Sequence, residues 1–292
     1  MRRAENSGPM NAGNLLPPRL FFVIGVQRTG TTLLREVLNR NPQIMMMAEV
    51  LLPYPDNCHW EHFIPTVPAD SRQPADEAAG FALLDRYFAY LHAEMTIRWR
   101  VPGRAAAVAY GVDIKLDQLD LIRPDGWPDT SPPFLLHYAM HRGVILINTV
   151  RRNVIHCAIS YQIGTQRDFW HNYDNRPFGD PVPLDFRECL NGARAIVRQQ
   201  HAFEAITAGY PVQRCVYEDL AAAVDAAPDG ELSNNPGPLR RIATALGADC
   251  AFRFDGRLHR AINRPYRDII ANHADIVEAL KATEFAAFVE TL

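Results

Sequence analysis

Long apolar runs, paired cysteines and an excess of either charge are what this sequence lacks, and each absence closes off a class of protein. No stretch approaches the roughly 20 apolar residues that a membrane-spanning helix needs. The five cysteines (Cys58, Cys157, Cys189, Cys215 and Cys250) are odd in number, widely spaced and without a CxxC pair. That argues against a disulfide framework, a zinc ribbon or thioredoxin-like chemistry, and makes a reducing cytoplasm the expected location. A net charge of −3 gives no general affinity for nucleic acid or anionic membranes, so any anion site must be local. The N-terminal arginines are followed by no apolar run before Pro17 and Pro18, unlike a signal peptide. Residues 1–17 read as a disordered lead, and 18–292 as a single domain. Histidines at 59, 62, 137, 141, 156 and 171 include no HExxH pair, and no metal site is expected.

What is present is an alternation of strand and helix signals. Leu20–Gly25 is a continuous apolar run ending in glycine, the pattern of a strand buried on both faces of a parallel sheet. A helix over Thr31–Asn39 follows from the spacing of Leu33, Leu34, Val37 and Leu38, with Asn41-Pro42 as its stop. Further strands are expected at Gly111–Leu116, Gly143–Val150 and Val212–Tyr217. Helices are expected at about 78–95, from Asn153 to about Gln162, and at about 184–208, 239–246 and 268–289. The Pro- and His-rich stretch up to about Pro74 reads as loop, as do 165–184 and 228–238. The order implies an α/β fold: a mainly parallel, doubly wound sheet of P-loop type with helices on both faces. Sites in such folds lie at the carboxyl ends of strands.

The segment Gly25-Val-Gln-Arg-Thr-Gly30-Thr31-Thr32 has P-loop spacing, but Thr31 stands where the P-loop lysine belongs. In kinases and NTPases that lysine reaches the β and γ phosphates, so this loop is poorly suited to a polyphosphate. It keeps backbone amides, a helix N-terminus, the hydroxyls of Thr29, Thr31 and Thr32, and one cation, Arg28. The plain alternative is a glycine turn with incidental hydroxyls, but a buried turn has no use for a cation without an anion. Arg152, at a strand end, and Ser160, eight positions later on the following helix, make a second candidate anion site, with Arg151 a lesser candidate.

QRTGTTLL resembles the 5′-phosphosulfate loop of the PAPS-dependent sulfotransferases, which typically reads Pro-(Arg or Lys)-Ser-Gly-Thr-Thr; Gln27 and Thr29 depart from it. Val150-Arg151-Arg152-Asn153 with Ser160 is similar to the family's 3′-phosphate motif, and Tyr217-Glu218-Asp219-Leu220 to its adenine-contacting strand end. The resemblance implies the sulfotransferase fold, PAPS (3′-phosphoadenosine 5′-phosphosulfate) as donor and PAP as product. It also implies in-line transfer of a sulfonate to an acceptor hydroxyl, with no metal required. Glu49 follows Arg28 by 21 positions, as the proposed base does in protein-tyrosine and polysaccharide sulfotransferases. Lys115 is expected to meet the bridging oxygen. Asp117 stands where cytosolic small-molecule enzymes carry a histidine base, and is the second candidate. Residues 263–285 resemble the tail of bacterial carbohydrate and nodulation-factor sulfotransferases, where a basic segment closes over the nucleotide; Arg264 or Arg260 would do so here.

The expected acceptor is a carbohydrate or small natural product, with no nucleic-acid partner, and His171 is a possible lining of its cleft. A P-loop kinase-like phosphotransferase and a non-catalytic nucleotide-binding protein on the same fold are the competing readings.

Overall fold

A computed structural model describes residues 18–52, 58–99, 107–227, 230–232, 237–254, 258, 262 and 264–292. The lead expected at 1–17 and the candidate Arg260 lie outside these. In chain order the elements begin β1 (Arg19–Gly25), α1 (Thr31–Arg40), β2 (Ile44–Glu49), α2 (Trp60–Phe63), α3 (Glu77–Arg98), β3 (Ala109–Lys115) and α4 (Phe134–His141). They continue with β4 (Ile145–Val150), α5 (Val154–Arg167), α6 (Phe186–Ile206), β5 (Val212–Val216), α7 (Tyr217–Asp225), α8 (Pro238–Leu246) and α9 (His273–Leu280).

The strands form one parallel sheet in the order β2-β3-β1-β4-β5. Phe21, Phe22, Val23 and Ile24 on the central strand are all fully buried, which explains why the run is apolar without alternation. Phe22 and Ile24 pack on one face with Leu84, Tyr87 and Leu91 of α3 and Phe134 of α4. Phe21 and Val23 pack on the other with Leu34 and Leu38 of α1 and Ile242 and Leu246 of α8. The two faces are therefore covered by different helices, as expected of a doubly wound sheet. A third cluster joins α5 and α6 to the C-terminal segment through Ile159, Ala193, Ile270 and Phe285.

Local chemistry sets the element ends. Asp76 caps α3 by accepting from the Ala79 amide (2.8 Å), and Asp185 caps α6 by accepting from Glu188 (3.1 Å). Asn39, on the last turn of α1, bonds both the amide (2.7 Å) and the carbonyl (2.9 Å) of Met46, tying β2 to the helix before it.

Several expectations are corrected. The stretch before Pro74 contains the short helix α2 and 3-10 turns at Ile64–Thr66 and Ala69–Ser71. The helix expected to end near Gln162 runs to Arg167. The C-terminal segment is not one helix: a 3-10 turn at Tyr266–Asp268, α9, and another 3-10 turn at Ala286–Thr291 replace it. The break after Leu280 has a local cause: the Thr283 hydroxyl donates to the Leu280 carbonyl (2.8 Å) and accepts from the Phe285 amide (3.2 Å), competing with helical pairing.

Phe22 sits at 0% exposure in the central strand against the α3 ring cluster. Phe22→Ala should cost about 3–5 kcal/mol of unfolding free energy, seen as a lower urea midpoint at unchanged slope.

Candidate functional site

A cavity of about 980 Å³ lies at the carboxyl ends of the strands. Its walls come from the loop after β1, from Glu49 ending β2, Lys115 ending β3, Arg151–Asn153 after β4 and Tyr217 and Glu218 after β5. Each motif thus sits where a strand gives way, as such a fold requires.

The loop after β1 is a strained turn. Arg28 has φ 67° and Gly30 φ 89°, both left-handed, and only at Gly30 is that conformation free of cost. A Cβ at Gly30 would also lie 2.4 Å from the Tyr217 ring. Arg28 is held by two bonds: Nε donates to Ser160 Oγ (3.0 Å), and a terminal guanidinium nitrogen to the Trp170 carbonyl (2.6 Å). Burial, the main cause, lowers its pKa, and neighbouring Arg151 acts in the same direction. Thr29 departs from expectation, because its side chain is buried and its hydroxyl binds the Val26 carbonyl (2.7 Å) and Thr149 Oγ1 (3.0 Å). It fastens the turn to β4 instead of facing the cavity.

Lys115 is one of two lysines in the chain, with Lys281, and it is buried. Its ammonium donates to Thr31 Oγ1 (2.8 Å) and to Asp113 Oδ1 (2.6 Å), and lies 3.4 Å from Glu49 Oε1. The other Glu49 oxygen accepts from Gln118 Nε2 (3.0 Å), whose Oε1 in turn accepts from the Lys115 amide (3.0 Å). Burial raises the Glu49 pKa, with the Lys115 charge working against it.

Glu49 reaches this cluster through a β-bulge. Ile44 and Met46 pack on the α1 face of the sheet, and Met45 and Met47 on the α3 face. Strict alternation would send residue 49 to the α3 face. The register with β3 instead skips from Met47↔Val112 to Glu49↔Asp113. The extra residue, Ala48, returns Glu49 to the α1 face, shared by Asp113 and Lys115.

The second anion site differs from expectation. The amides of Arg152 and Asn153 donate to the two carboxylate oxygens of Glu218 (3.1 and 3.2 Å), and the Arg152 guanidinium is paired with Asp219. The acidic segment that resembles a strand end is the first turn of α7, which places both carboxylates over the N-terminus of α5. Tyr217 is not a free stacking surface: one side packs on Gly30, and the Arg151 guanidinium lies 4.7 Å from its ring centroid. Among the described residues neither Arg28 nor Arg151 forms an ion pair, and the buried Arg151 Nε has no hydrogen-bond partner. Arg28 and Arg151 therefore border the cavity without a carboxylate partner among the described residues.

Thr32, Ser160, Arg264 and the exposed His171 also line the cavity. Asp117 does not: it is exposed on the 3-10 turn Leu116–Gln118 and lines a different cavity. Missed in the sequence were Asp113, Gln118, Trp170 and the wall formed by His156 and Tyr266, whose rings are 4.5 Å apart. Asp113 had a signal: a carboxylate two residues before Lys115 in a strand points to the same face. Among the described residues no group of His, Cys, Asp or Glu could hold a metal, and no helix is long and apolar enough to cross a membrane.

Comparison with known proteins bears on the same segment. The family model described as the Sulfotransferase family matches residues 18–115, which hold β1, the loop, Glu49 and Lys115. Nodulation protein H of Rhizobium meliloti is 25% identical over 178 residues, and the match spans 60% of this chain and 60% of that relative's length. The crystal structure of a sulfotransferase from Alicyclobacillus acidocaldarius aligns over 95% of this chain and 94% of its own, at 17% identity and a TM-score of 0.43, too loose a likeness to argue from. The resemblance to sulfotransferases drawn from QRTGTTLL is shown by the first two.

Gly30→Ala should lose about 1–2 kcal/mol from the left-handed backbone alone and push Tyr217 off the loop. Urea denaturation should register the first effect, and weakened binding of inorganic pyrophosphate the second.

Proposed function

We propose that this chain, similar to sulfotransferases over residues 18–115, transfers a sulfonate from PAPS to an acceptor hydroxyl, with Glu49 as base. One observation carries the reading: Lys115 Nζ joins Thr31 of the phosphate loop (2.8 Å) to the Glu49 carboxylate (3.4 Å) within one cavity. A sulfonate donor held on the loop would thereby lie between its charge-stabilising cations and a proton acceptor.

The phosphosulfate would rest on the backbone amides around Gly30, Thr31 and Thr32, on the positive end of α1, and on Arg28. The acceptor oxygen attacks sulfur in line. Its proton passes to Glu49, a new S–O bond forms, and the S–O bond to the bridging oxygen breaks, leaving its electron pair on the phosphate of PAP. Lys115 and Arg28 offset the charge growing on that phosphate. Thr31 replacing the P-loop lysine suits a donor with one phosphate joined to a sulfonate, which has no β and γ phosphates to clamp.

The 3′-phosphate is assigned to Arg152 and Ser160, with Arg151 beside them. Ser160 accepts from Arg28, so its own hydroxyl proton remains free to donate. Binding there requires the phosphate to take over the α5 amides from Glu218. Tyr217, packed under Arg151, orients that cation, and Arg264 borders the nucleotide. No step calls for a metal. The acceptor is assigned to the carbohydrates or small natural products on the resemblance, and the location to the cytoplasm on the odd, widely spaced cysteines.

Two measurements test this. PAP should raise the melting temperature, by the equivalent of about 2.7 kcal/mol at a hundredfold excess over Kd, and ATP with Mg²⁺ should not; stabilisation by ATP–Mg²⁺ alone would overturn the reading. Glu49→Gln should keep PAP affinity and lower kcat by about 10²- to 10⁴-fold. Because burial raises the Glu49 pKa, wild-type kcat/KM should climb with pH through a limb above the ordinary carboxylate range, as Glu49 loses its proton, and that limb should vanish in Glu49→Gln.

A further inference from the structure

A second cavity, of about 580 Å³, lies between α5 and α6 behind the phosphate loop. It meets the first at Gln27 and Tyr161, which line both. Leu116 and Asp117, directly after Lys115, form another of its walls. A molecule seated there would border the cavity that holds Glu49 and Lys115, sharing Gln27 and Tyr161 with it.

The two cavities are opposite in charge. The first presents Arg28, Lys115, Arg151, Arg152 and Arg264 against the carboxylates of Glu49, Glu218 and Asp225, so its cations are in excess. None of the described residues lining the second is Lys, Arg or His, and two are carboxylates, Asp117 and Glu188. The remainder combines an apolar part (Val26, Leu116, Ala158, Ala195 and Ile196) with uncharged hydrogen-bonding groups such as Asn191 and Gln199. Tyr161 contributes a ring that is 48% exposed, available for contact with an apolar ligand face. An anion placed here would leave water for a site holding two like charges and no counter-ion, which is costly. A neutral molecule with an apolar body and peripheral hydroxyls meets no such penalty.

We infer that this second cavity holds the body of the acceptor, and that it selects uncharged hydroxyl-bearing molecules with an apolar ring or chain over anionic ones. The inference rests on the sulfotransfer reading and adds the acceptor's seat and charge. Donor and acceptor are sorted by charge, the anionic nucleotide to the arginine-lined side and the neutral acceptor to the carboxylate-lined side. Gln27, which departs from the proline of the loops it resembles, stands on the boundary: its carbonyl accepts from Cys157 Sγ (3.0 Å) while it lines both cavities.

The test uses the full chain saturated with PAP and a panel of alkyl glycosides, aryl glycosides and phenols, each paired with its carboxylated counterpart. Binding is followed by ligand-observed NMR. Neutral members should bind at least tenfold more tightly than their partners. Ala195→Phe, which fills the cavity from α6, should weaken them at least tenfold while PAP affinity stays unchanged. Gly192→Leu, where an added Cβ would meet only Ala158 Cβ at 3.5 Å, provides a second filling variant should the first misfold. Asp117→Asn combined with Glu188→Gln should narrow the gap between neutral and carboxylated members. Equal or tighter binding of the carboxylated members, indifference to both filling variants, or no binding by any member would overturn the inference. Failure of PAP to bind the wild type is a separate result, and would count against the donor reading.

Discussion

The ammonium of Lys115 is buried, and a buried charge persists only where partners replace the water it has lost. Its partners are drawn from three segments that sequence distance keeps apart. Asp113 comes from its own strand, Thr31 from the first turn of α1 and Glu49 from the end of β2. The sheet register aligns them, with Gly25 opposite Lys115 and Asp113 opposite Glu49. Two carboxylates share one ammonium, Asp113 in the interior and Glu49 on the wall of the open cavity. If the ammonium were removed, Asp113 would remain as an uncompensated charge in the interior.

Much of this frame was legible in the sequence. The unbroken apolar run of β1 has no other reasonable reading than a strand covered on both sides, and the helical spacing of α1 follows at once. Arg28 was singled out inside the glycine turn, Lys115 at a strand end, and Glu49 by its spacing from Arg28 in the resemblance to sulfotransferases; the three line one cavity. β2 was not legible, since Ile-Met-Met-Met-Ala-Glu carries little β-branched signal and the strand is held partly by side-chain bonds from Asn39. α4 was missed because most of its residues are buried, so its sequence shows no polar face to set a period. Arg152 was placed correctly at its strand end, but its pairing depends on α7 starting at Tyr217, where the sequence suggested the last residue of a strand.

The acidic first turn of α7 changes how the α5 end of the cavity is understood. Glu218 gives the α5 N-terminus the negative charge it favours, so the site is electrostatically satisfied before a ligand arrives. A phosphate entering there exchanges with a carboxylate, and its net gain is the difference between two anions at one position. Around Arg28 no such occupant exists among the described residues, so the loop has the larger unmet demand for an anion.

The bulge at Ala48 frees the site from a fixed chain length in a way that side-chain chemistry does not. Met47 and Glu49 pair with the consecutive residues Val112 and Asp113, so Ala48 is the one residue without a place in the register. Point changes at residue 48 leave that arrangement alone. Removing Ala48 would set Glu49 directly after Met47, still opposite Asp113 and on the α1 face, whereas regular pairing of every residue through 49 would turn the carboxylate toward α3. Among relatives, a gap of one residue in this strand is therefore compatible with a carboxylate at the same place, and the residue to compare is the one opposite the Asp113 position, whatever its count from the loop after β1.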